Sequence, residues 1–390
     1  MGRSKKKSSR ITLILSIIFA IICIIAVWDI KVGDHKGGLQ PDYIEPETET
    51  MPYESIKPST GKKADETIPK QEESKPDSPQ TNKKDIGQEV TGSEKIIETQ
   101  DTKLEQIINS FFKELNCHIG ENWTIDIPSI YSLTWIERRL NNILAESGYR
   151  IDNSKIYLND KEILQLKFNK MSSKGKIAII IDDVGRTTRL NTILQGIKLP
   201  LNISILPKQR ETTSMSTAGK KEGWDVLLHL PMEPKEKSWI DSTFIKVGMD
   251  SEEIRKRIDE YLKEMSYVQG VNNHMGSLAT TDENIMRTVL GIVKERGLYF
   301  IDSLTISNSV GEKVAKEIAL ERFAKRDIFL DNTDEKEYII SQIDHLVELS
   351  IRKGFAIGIG HLRENTLTTI KDYDWDAKGI ELVPLSDILQ

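Results

Sequence analysis

Ionisable side chains follow several predicted β-strands in the second half of the chain, each at the point where a strand ends. Two adjacent aspartates, Asp182 and Asp183, come directly after the first of these strands. The ends of later strands carry His229, His274, Asp302, Asp331 and His361. Because the active site of a parallel α/β barrel lies at the carboxyl ends of its strands, we expect these side chains to gather at one rim.

These residue types are suited to metal-assisted hydrolysis. Two histidines and one carboxylate leave a coordination position open on zinc, which is the arrangement of a catalytic site rather than a structural one. A metal held in this way lowers the pKa of bound water toward about 7 and so supplies a nucleophile at neutral pH. Successive side chains near a strand end point in different directions, so one aspartate can bind metal while the other accepts a proton. The chain has only two cysteines, which excludes a cysteine-based zinc site.

Each of these residues also has a structural explanation when it is considered alone. An aspartate pair after a strand equally fits helix capping or Mg²⁺ binding, and a single histidine is more often a hydrogen-bonded structural residue. Asn272 and Asn273 fit a turn. Asp302 and Asp331 fit caps of the helices that follow them, and for Asp331 we favour capping. Three further histidines are interpreted as structural: His35, His118 and His345. Taken together, the residues at the strand ends favour a site.

The elements that position these residues alternate between apolar β-branched runs and helical patterns over residues 174–390. This alternation predicts parallel strands joined by helical crossovers. Strands are predicted over residues 176–181, 201–206, 225–230, 269–271, 298–301, 327–330, 355–359 and 380–383. Helices are predicted over residues 251–265, 282–296 and 335–352, and the second opens with Thr281-Asp282-Glu283, an N-cap followed by acidic residues. The fold class is therefore α/β, with a complete or distorted (β/α) barrel favoured over an open sheet.

A small α/β module is predicted over residues 101–170. Apolar residues have helical spacing over 104–115 and again over 133–144. Two strands, 155–158 and 162–168, flank the turn at Asn159 and Asp160. The module holds no cluster of ionisable residues with an evident chemistry, and the sequence assigns it no function.

The first hundred residues predict a membrane anchor followed by a spacer. Residues 1–10 are basic, and residues 11–28 form an apolar run of about the length that spans a bilayer. The basic flank is expected in the cytoplasm and the folded domains outside it, in a single-pass cell-membrane protein. A cleaved signal peptide is the alternative, but the run ends in a poor cleavage site, so we favour an anchor. Residues 29–100 hold seven of the 13 prolines and few large apolar residues, which predicts a disordered spacer.

Composition excludes one class of partner. The net charge of the chain is −6, and no basic face interleaved with aromatic residues occurs in the second half. Nucleic-acid binders need a basic field to neutralise phosphates. We therefore expect no nucleic-acid partner.

Five ordered motifs resemble those of the divergent polysaccharide deacetylases, over a little over half of the chain. They are Ile179–Gly185, Leu228–Pro234, Gly270–Ser277, Phe300–Ser303 and Gly358–His361. The resemblance implies a distorted (β/α) barrel related to the metal-dependent polysaccharide deacetylases. Transferred motif by motif, it implies Asp182 as the base, His361 as the acid, and Asp183, His229 and His274 as ligands of Zn²⁺ or another divalent metal.

The chain departs from the better-studied deacetylases at three points. Those enzymes take both metal histidines from one short motif, whereas His229 and His274 belong to different predicted strands. No clear match is found to the arginine motif that orients the base in those enzymes. Leu362 follows His361, where the divergent family usually has proline.

The predicted function is removal of N-acetyl groups from a cell-envelope polysaccharide by a metal-dependent hydrolase. Asn273 and Asp302 are predicted to support the site or contact substrate, with Asp302 orienting a histidine. Two alternatives stay open: a non-catalytic protein that binds an envelope glycan or a partner, and a metal hydrolase acting on phosphate or other esters. The second alternative lacks a basic cluster around the motifs.

Overall fold

The computed structural model describes residues 92–236 and 240–389 of the chain. The predicted basic segment 1–10, the anchor 11–28 and residues 29–91 of the predicted spacer lie outside these residues. None of the helices in the described part of the chain combines the length and the apolar character that a membrane span requires.

The amino-terminal part of the described chain is a small α/β module. Its helices are α1 (Gly92–Glu114) and α2 (Leu133–Ala145), and α1 begins inside the segment predicted as spacer. The strands form two sheets of three: β1 (His118–Ile119), β2 (Thr124–Ile127) and β6 (Lys167–Lys170), and β3 (Tyr149–Asp152), β4 (Lys155–Leu158) and β5 (Lys161–Gln165). The predicted strand 162–168 is therefore two strands. Asn159 and Asp160 both have positive φ, 49° and 61°, as a tight hairpin turn between β4 and β5 requires.

A parallel sheet of nine strands follows the module. Its strands are β7 (Gly175–Val184), β8 (Asn202–Ile205), β9 (Asp225–Met232), β10 (Gly270–Met275), β11 (Tyr299–Asp302), β12 (Phe323–Lys325), β13 (Ile328–Phe329), β14 (Phe355–His361) and β15 (Ile380–Leu382). The order is β12-β11-β10-β9-β8-β7-β14-β13, and β15 pairs with the start of β7. The predicted α/β class and the parallel sheet are confirmed. The barrel is incompletely closed, since no ladder joins β12 to β13 among the described strands.

Helices connect the strands and cover the outside of the sheet. They are α3 (Thr188–Gln195), α4 (Thr212–Lys221), α5 (Ser251–Lys263), α6 (Glu283–Glu295), α7 (Gly311–Glu317), α8 (Lys336–Lys353), α9 (Glu364–Asp372) and α10 (Trp375–Lys378). Helix α6 begins within the predicted stretch Thr281–Glu283, and its N-cap is Asp282, whose side chain accepts hydrogen bonds from the backbone N–H groups of Asn284 and Ile285.

Alternate residues of the strands build two separate apolar cores. The inner core fills the barrel and takes one side-chain row from each of several strands: Ala178, Ile180, Leu227, Tyr299, Ile301, Ile357 and Ile359. Their neighbours along the strands belong to the outer core under the helices: Ile177, Ile179, Ile181, Val226, Leu228, Phe300 and Ala356. Because side chains alternate with a period of two, Asp182, His229 and His361 continue the inner rows of their strands to the carboxyl-end rim.

The small module packs against the opposite, amino-terminal end of the barrel. Arg138 of α2 forms an ion pair with the fully buried Asp225 at the first residue of β9, with an Nη–Oδ1 distance of 2.7 Å. Tyr299 and Ser386 also donate hydrogen bonds to Asp225. The backbone N–H of Leu382 donates to the Ile130 carbonyl at 2.9 Å. Through these contacts the module covers part of the amino-terminal end of the barrel.

Candidate metal and catalytic site

The carboxyl end of β7 places two carboxylates at the rim. Asp182 follows the inner row, and its side chain is only 3% exposed. Strict alternation would turn Asp183 outward, but the register with β8 shifts between Ile181 and Val184, and Asp183 adopts a φ of +63°. Aspartate is one of the few residues that tolerate this left-handed conformation. The result is that consecutive side chains face the same site.

Asp183, His229 and His274 converge on one point. The Asp183 Oδ1 lies 3.4 Å from Nε2 of His229 and 3.2 Å from Nδ1 of His274, and the two ring nitrogens are 3.2 Å apart. Nitrogen and oxygen ligands at about 2.1 Å from a tetrahedral metal are separated by about 3.4 Å. The three atoms therefore form nearly the triangular face that such a metal needs.

Two further properties of this triangle fit a cation. The Oδ1 of Asp183 is buried without a hydrogen-bond partner, which is costly for a carboxylate oxygen. Burial raises the pKa of the Asp183 carboxyl, but the adjacent His274 and His229 outweigh burial and hold that pKa well below its ordinary value. The carboxylate is thus ionised, and its Oδ1 has no hydrogen bond of good geometry, although the two histidine nitrogens lie close to it. Asp183 and His274 are 25% and 12% exposed, so the triangle has an open side.

Asp182 lies beside the triangle without being part of it. Its Oδ2 is 3.7 Å from His229 Nε2, and its Oδ1 accepts a hydrogen bond of 2.9 Å from the Asn272 side chain. Burial raises the pKa of Asp182, and His229 and His361 partly offset this effect. A buried carboxyl with a raised pKa is suited to accept and release a proton.

His361 stands next to Asp182 on the neighbouring strand. The two residues are paired in the parallel register of β14 and β7. Nδ1 of His361 is 2.8 Å from Oδ1 of Asp331, whose Oδ2 accepts hydrogen bonds from the His361 backbone N–H and the Thr366 hydroxyl. Burial lowers the pKa of His361, but Asp331 more than compensates and raises it to about 9. His361 is therefore protonated at neutral pH, with Nε2 free of this pairing.

This arrangement corrects two interpretations made from the sequence. Asp331 does not cap a helix, since α8 begins at Lys336 with Glu335 as its N-cap residue; it holds His361 instead. Asp302 orients no histidine among the described residues. Its carboxylate accepts hydrogen bonds from the Leu304 backbone and the Ser309 hydroxyl. The reason is alternation: Ile301 faces the barrel, so Asp302 faces away from it.

Asn273 also faces away from the site, whereas its neighbour Asn272 lies at the centre. Asn273 accepts a hydrogen bond from the Ser303 backbone N–H and donates one to the Met275 carbonyl, so it joins the ends of β10 and β11. Asn272 contacts both Asp182 and His229. The alternative explanation, that Asn272 and Asn273 form a turn, is wrong, since both lie within β10.

Arg326 and Phe329 line the open side of the barrel, and sequence reasoning missed both. The Arg326 guanidinium stacks 3.6 Å above the Phe329 ring and donates to the carbonyls of Ser303 and Leu304. Burial lowers the pKa of Arg326 to about 10, and the nearby Asp302 and Asp182 carboxylates, which raise this pKa, offset only part of the effect. Phe329 in turn stacks on His361 at 5.9 Å. The Arg326–Phe329 pair therefore fills the gap between β12 and β13, which no ladder joins, beside the candidate acid His361.

Comparison with known proteins agrees with this fold and identifies the family. The family model of the divergent polysaccharide deacetylases matches residues 179–389, more than half of the chain. An uncharacterized protein of Haemophilus influenzae is 32% identical over 199 residues, which cover 51% of this chain and 71% of that protein. The uncharacterized protein YibQ of Escherichia coli is 31% identical over 216 residues, covering 55% and 67%. The chain belongs to the divergent polysaccharide deacetylase family, as its five motifs predicted.

A solved structure shares the fold. The crystal structure of an uncharacterized protein from Agrobacterium tumefaciens superposes with a TM-score of 0.53 at 20% sequence identity. The match covers 56% of this chain and 90% of that one.

Proposed function

We propose that the chain is a metal-dependent hydrolase that removes N-acetyl groups from a cell-envelope polysaccharide. One observation carries the proposal: a metal-sized triangle of Asp183, His229 and His274 is flanked by a buried carboxyl and by a protonated histidine. Amide hydrolysis needs a base for water and an acid for the leaving amine, and both stand beside the triangle.

Asp183, His229 and His274 would hold Zn²⁺ or another divalent cation. Such a cation, when bound, polarises an acyl oxygen and lowers the pKa of water. The fit rests on the donor set, on the spacing of its atoms and on the buried Asp183 oxygen without a partner.

Asp182 acts as the general base in this proposal. Its Oδ2 lies on the same side as the triangle, and the hydrogen bond from Asn272 to Oδ1 fixes the carboxylate plane. The carboxylate accepts the proton of the attacking water. Burial strengthens this role, because it raises the pKa of the group that must take up the proton.

His361 acts as the general acid. It enters the reaction charged, because Asp331 keeps its pKa at about 9, and its Nδ1 is occupied by that carboxylate. The remaining proton, on Nε2, is available for the leaving amine. The ring is 14% exposed, which leaves an edge accessible to a substrate.

The substrate and location belong to the same proposal. The family supports an acetylated polysaccharide as substrate, and an N-acetylated envelope glycan is our proposal within that class. The apolar residues 11–28 support a membrane anchor with the described domains outside the cytoplasm. No feature of the described residues specifies which sugar is bound.

The test uses the full-length protein with chitooligosaccharides and peptidoglycan fragments, and it measures bound zinc and released acetate together. We expect about one zinc per chain and acetate release in the wild type. Asp182→Asn should keep zinc and lose acetate release, since the amide cannot accept the proton. The matched control is Asp372→Asn, the same change at an exposed position at the end of α9, which should alter neither quantity.

The outcomes separate the alternatives. Bound zinc without acetate release from any glycan would favour the non-catalytic binding protein. Absence of zinc would remove the ligand assignment. Acetate release that survives Asp182→Asn would remove Asp182 from the mechanism while leaving the metal site intact.

A further inference from the structure

Asn272 makes four side-chain hydrogen-bond contacts at the centre of the site, with Ser204, His229, Asp182 and Ser303. It is fully buried in β10, between β9 and β11. Its Oδ1 faces Nδ1 of His229 at 3.0 Å and also accepts the hydroxyl of Ser204. Its Nδ2 donates to Oδ1 of Asp182 at 2.9 Å and to the Ser303 hydroxyl oxygen at 3.2 Å. All its hydrogen-bonding capacity is thus used.

These partners fix which way the amide points. Asp182 offers an acceptor when ionised, and the Ser303 hydroxyl gives its own proton to the Asn273 carbonyl. Two acceptors therefore require the NH₂ group on that side, which leaves the amide oxygen toward His229.

The orientation of the amide determines the state of His229. Because Oδ1 of Asn272 can only accept, Nδ1 of His229 must carry a proton. When the ring is neutral, as a metal ligand must be, its Nε2 lone pair is then directed at the Asp183 and His274 ligand atoms. A metal-binding histidine commonly has its tautomer fixed through its other ring nitrogen in this manner.

We infer that Asn272 is a positioning residue that sets two parts of the site with one side chain: it turns Nε2 of His229 toward the metal position, and it holds the Asp182 carboxylate beside it. This inference rests on the proposed function for the identity of the site. The two tasks use opposite ends of the amide, so they can be separated by substitution.

Asn272→Ala removes both ends. We expect zinc affinity of the full-length protein to fall by about 10–100-fold, the usual effect of losing a residue that supports a ligand. Zinc affinity is measured by competition with a chelator. Nitrogen-15 NMR of histidine-labelled protein gives a second readout, since the Nδ1 proton of His229 is expected to be protected from exchange in the wild type and exposed in the variant.

Asn272→Asp keeps an acceptor for His229 and replaces the donor to Asp182 by a second carboxylate oxygen. We expect the Nδ1 proton to stay protected and zinc affinity to stay within a few-fold of wild type, while acetate release is lost. Ser204→Ala is the matched control, because it removes another hydrogen bond to the same amide oxygen without touching Asp182 or His229. It should preserve the ring proton, zinc binding and acetate release.

The readouts separate failure of this inference from failure of the proposed function. If the wild type binds no zinc, the proposed function fails, and the Nδ1 proton of His229 in the metal-free protein still decides the inference. An unprotonated Nδ1 in the wild type would overturn it. The inference would also be overturned if Asn272→Ala bound zinc with wild-type affinity, or if Asn272→Asp lost zinc. If the alanine variant does not fold, the near-isosteric Asn272→Asp variant alone tests the inference.

Discussion

Replacing Asp331 by asparagine should convert His361 from a charged to a neutral residue at neutral pH. Asp331 has no side-chain exposure and lies 2.8 Å from Nδ1 of His361. The difference between the pKa of about 9 and the ordinary value of 6.5 corresponds to about 3 kcal/mol of net stabilisation of the protonated ring, and Asp331 is the largest favourable contribution to it, ahead of Asp183 and Asp182. In Asp331→Asn we expect the pKa of His361 to fall most of the way to 6.5.

The consequence is that the protonated fraction of His361, the candidate general acid, falls at neutral pH. At pH 7.5 a histidine with a pKa of 9 is about 97% protonated, and one with a pKa of 6.5 is about 9% protonated, a roughly tenfold difference. The alkaline limb of acetate release should shift to lower pH, and activity should recover as the pH falls toward 6. The raised pKa also means that the proton stabilises the fold fully below pH 6.5, and that this stabilisation disappears as the pH rises through about 9.

The pKa is measured directly by NMR titration of the His361 ring in full-length protein, with a chelator present. Asp334→Asn is the matched control, since the same change is made three residues away at an exposed side chain. A His361 pKa that stays near 9 in Asp331→Asn, or falls equally in Asp334→Asn, would refute the assignment of the shift to Asp331.

Three further predictions concern the metal site and the fold. His274→Ala should release the metal, because two ligands remain; unchanged zinc content would remove His274 from the ligand set. Asp302→Asn should retain full zinc content, since Asp302 supports a loop; zinc loss would restore it to the site. Arg138→Met should lower the free energy of unfolding by about 3 kcal/mol, because it leaves the buried Asp225 charge unpaired. Urea denaturation measures this change. Arg150→Met, at a half-exposed ion pair, should cost about 0.5 kcal/mol or less, and an equal effect would contradict the role of burial.

The strands of the barrel were predictable because buried parallel strands are continuous apolar runs. Six of the eight predicted ranges coincide closely with β7, β8, β9, β11, β14 and β15, and a seventh overlaps β13. The predicted range 269–271 covers only the first two residues of β10, which continues to Met275. Strand β12 was missed. It has only three residues, Phe323 to Lys325, none of them fully buried, so it presents no apolar run. Short strands at the ends of a sheet carry little of the signal on which such predictions depend.

The candidate site was only partly predictable, because residue type and strand end do not specify which face a side chain occupies. The face is specified by the alternation of apolar residues along each strand. Ile301 faces the barrel interior, so Ser303, two residues later, points to the rim of the site, and Asp302 does not. Applied to β10, with Val271 in the outer core, the same rule would have placed Asn272 inside.

Other features had no local signal. The left-handed conformation of Asp183 arises from the register shift between β7 and β8, which depends on contacts distant in sequence. The pairing of Asp331 with His361 spans 30 residues and follows from the parallel alignment of β13 and β14. Strand β13 has only two residues, so its periodicity could not be read.

The two ends of the barrel serve different purposes. The Arg138–Asp225 ion pair and the contact of Ile130 with β15 attach the small module at the amino ends of the strands. The candidate acid, base and metal ligands all stand at the carboxyl ends. The small module is therefore attached at the end of the barrel opposite the candidate site, so the contacts that hold it do not cover the rim.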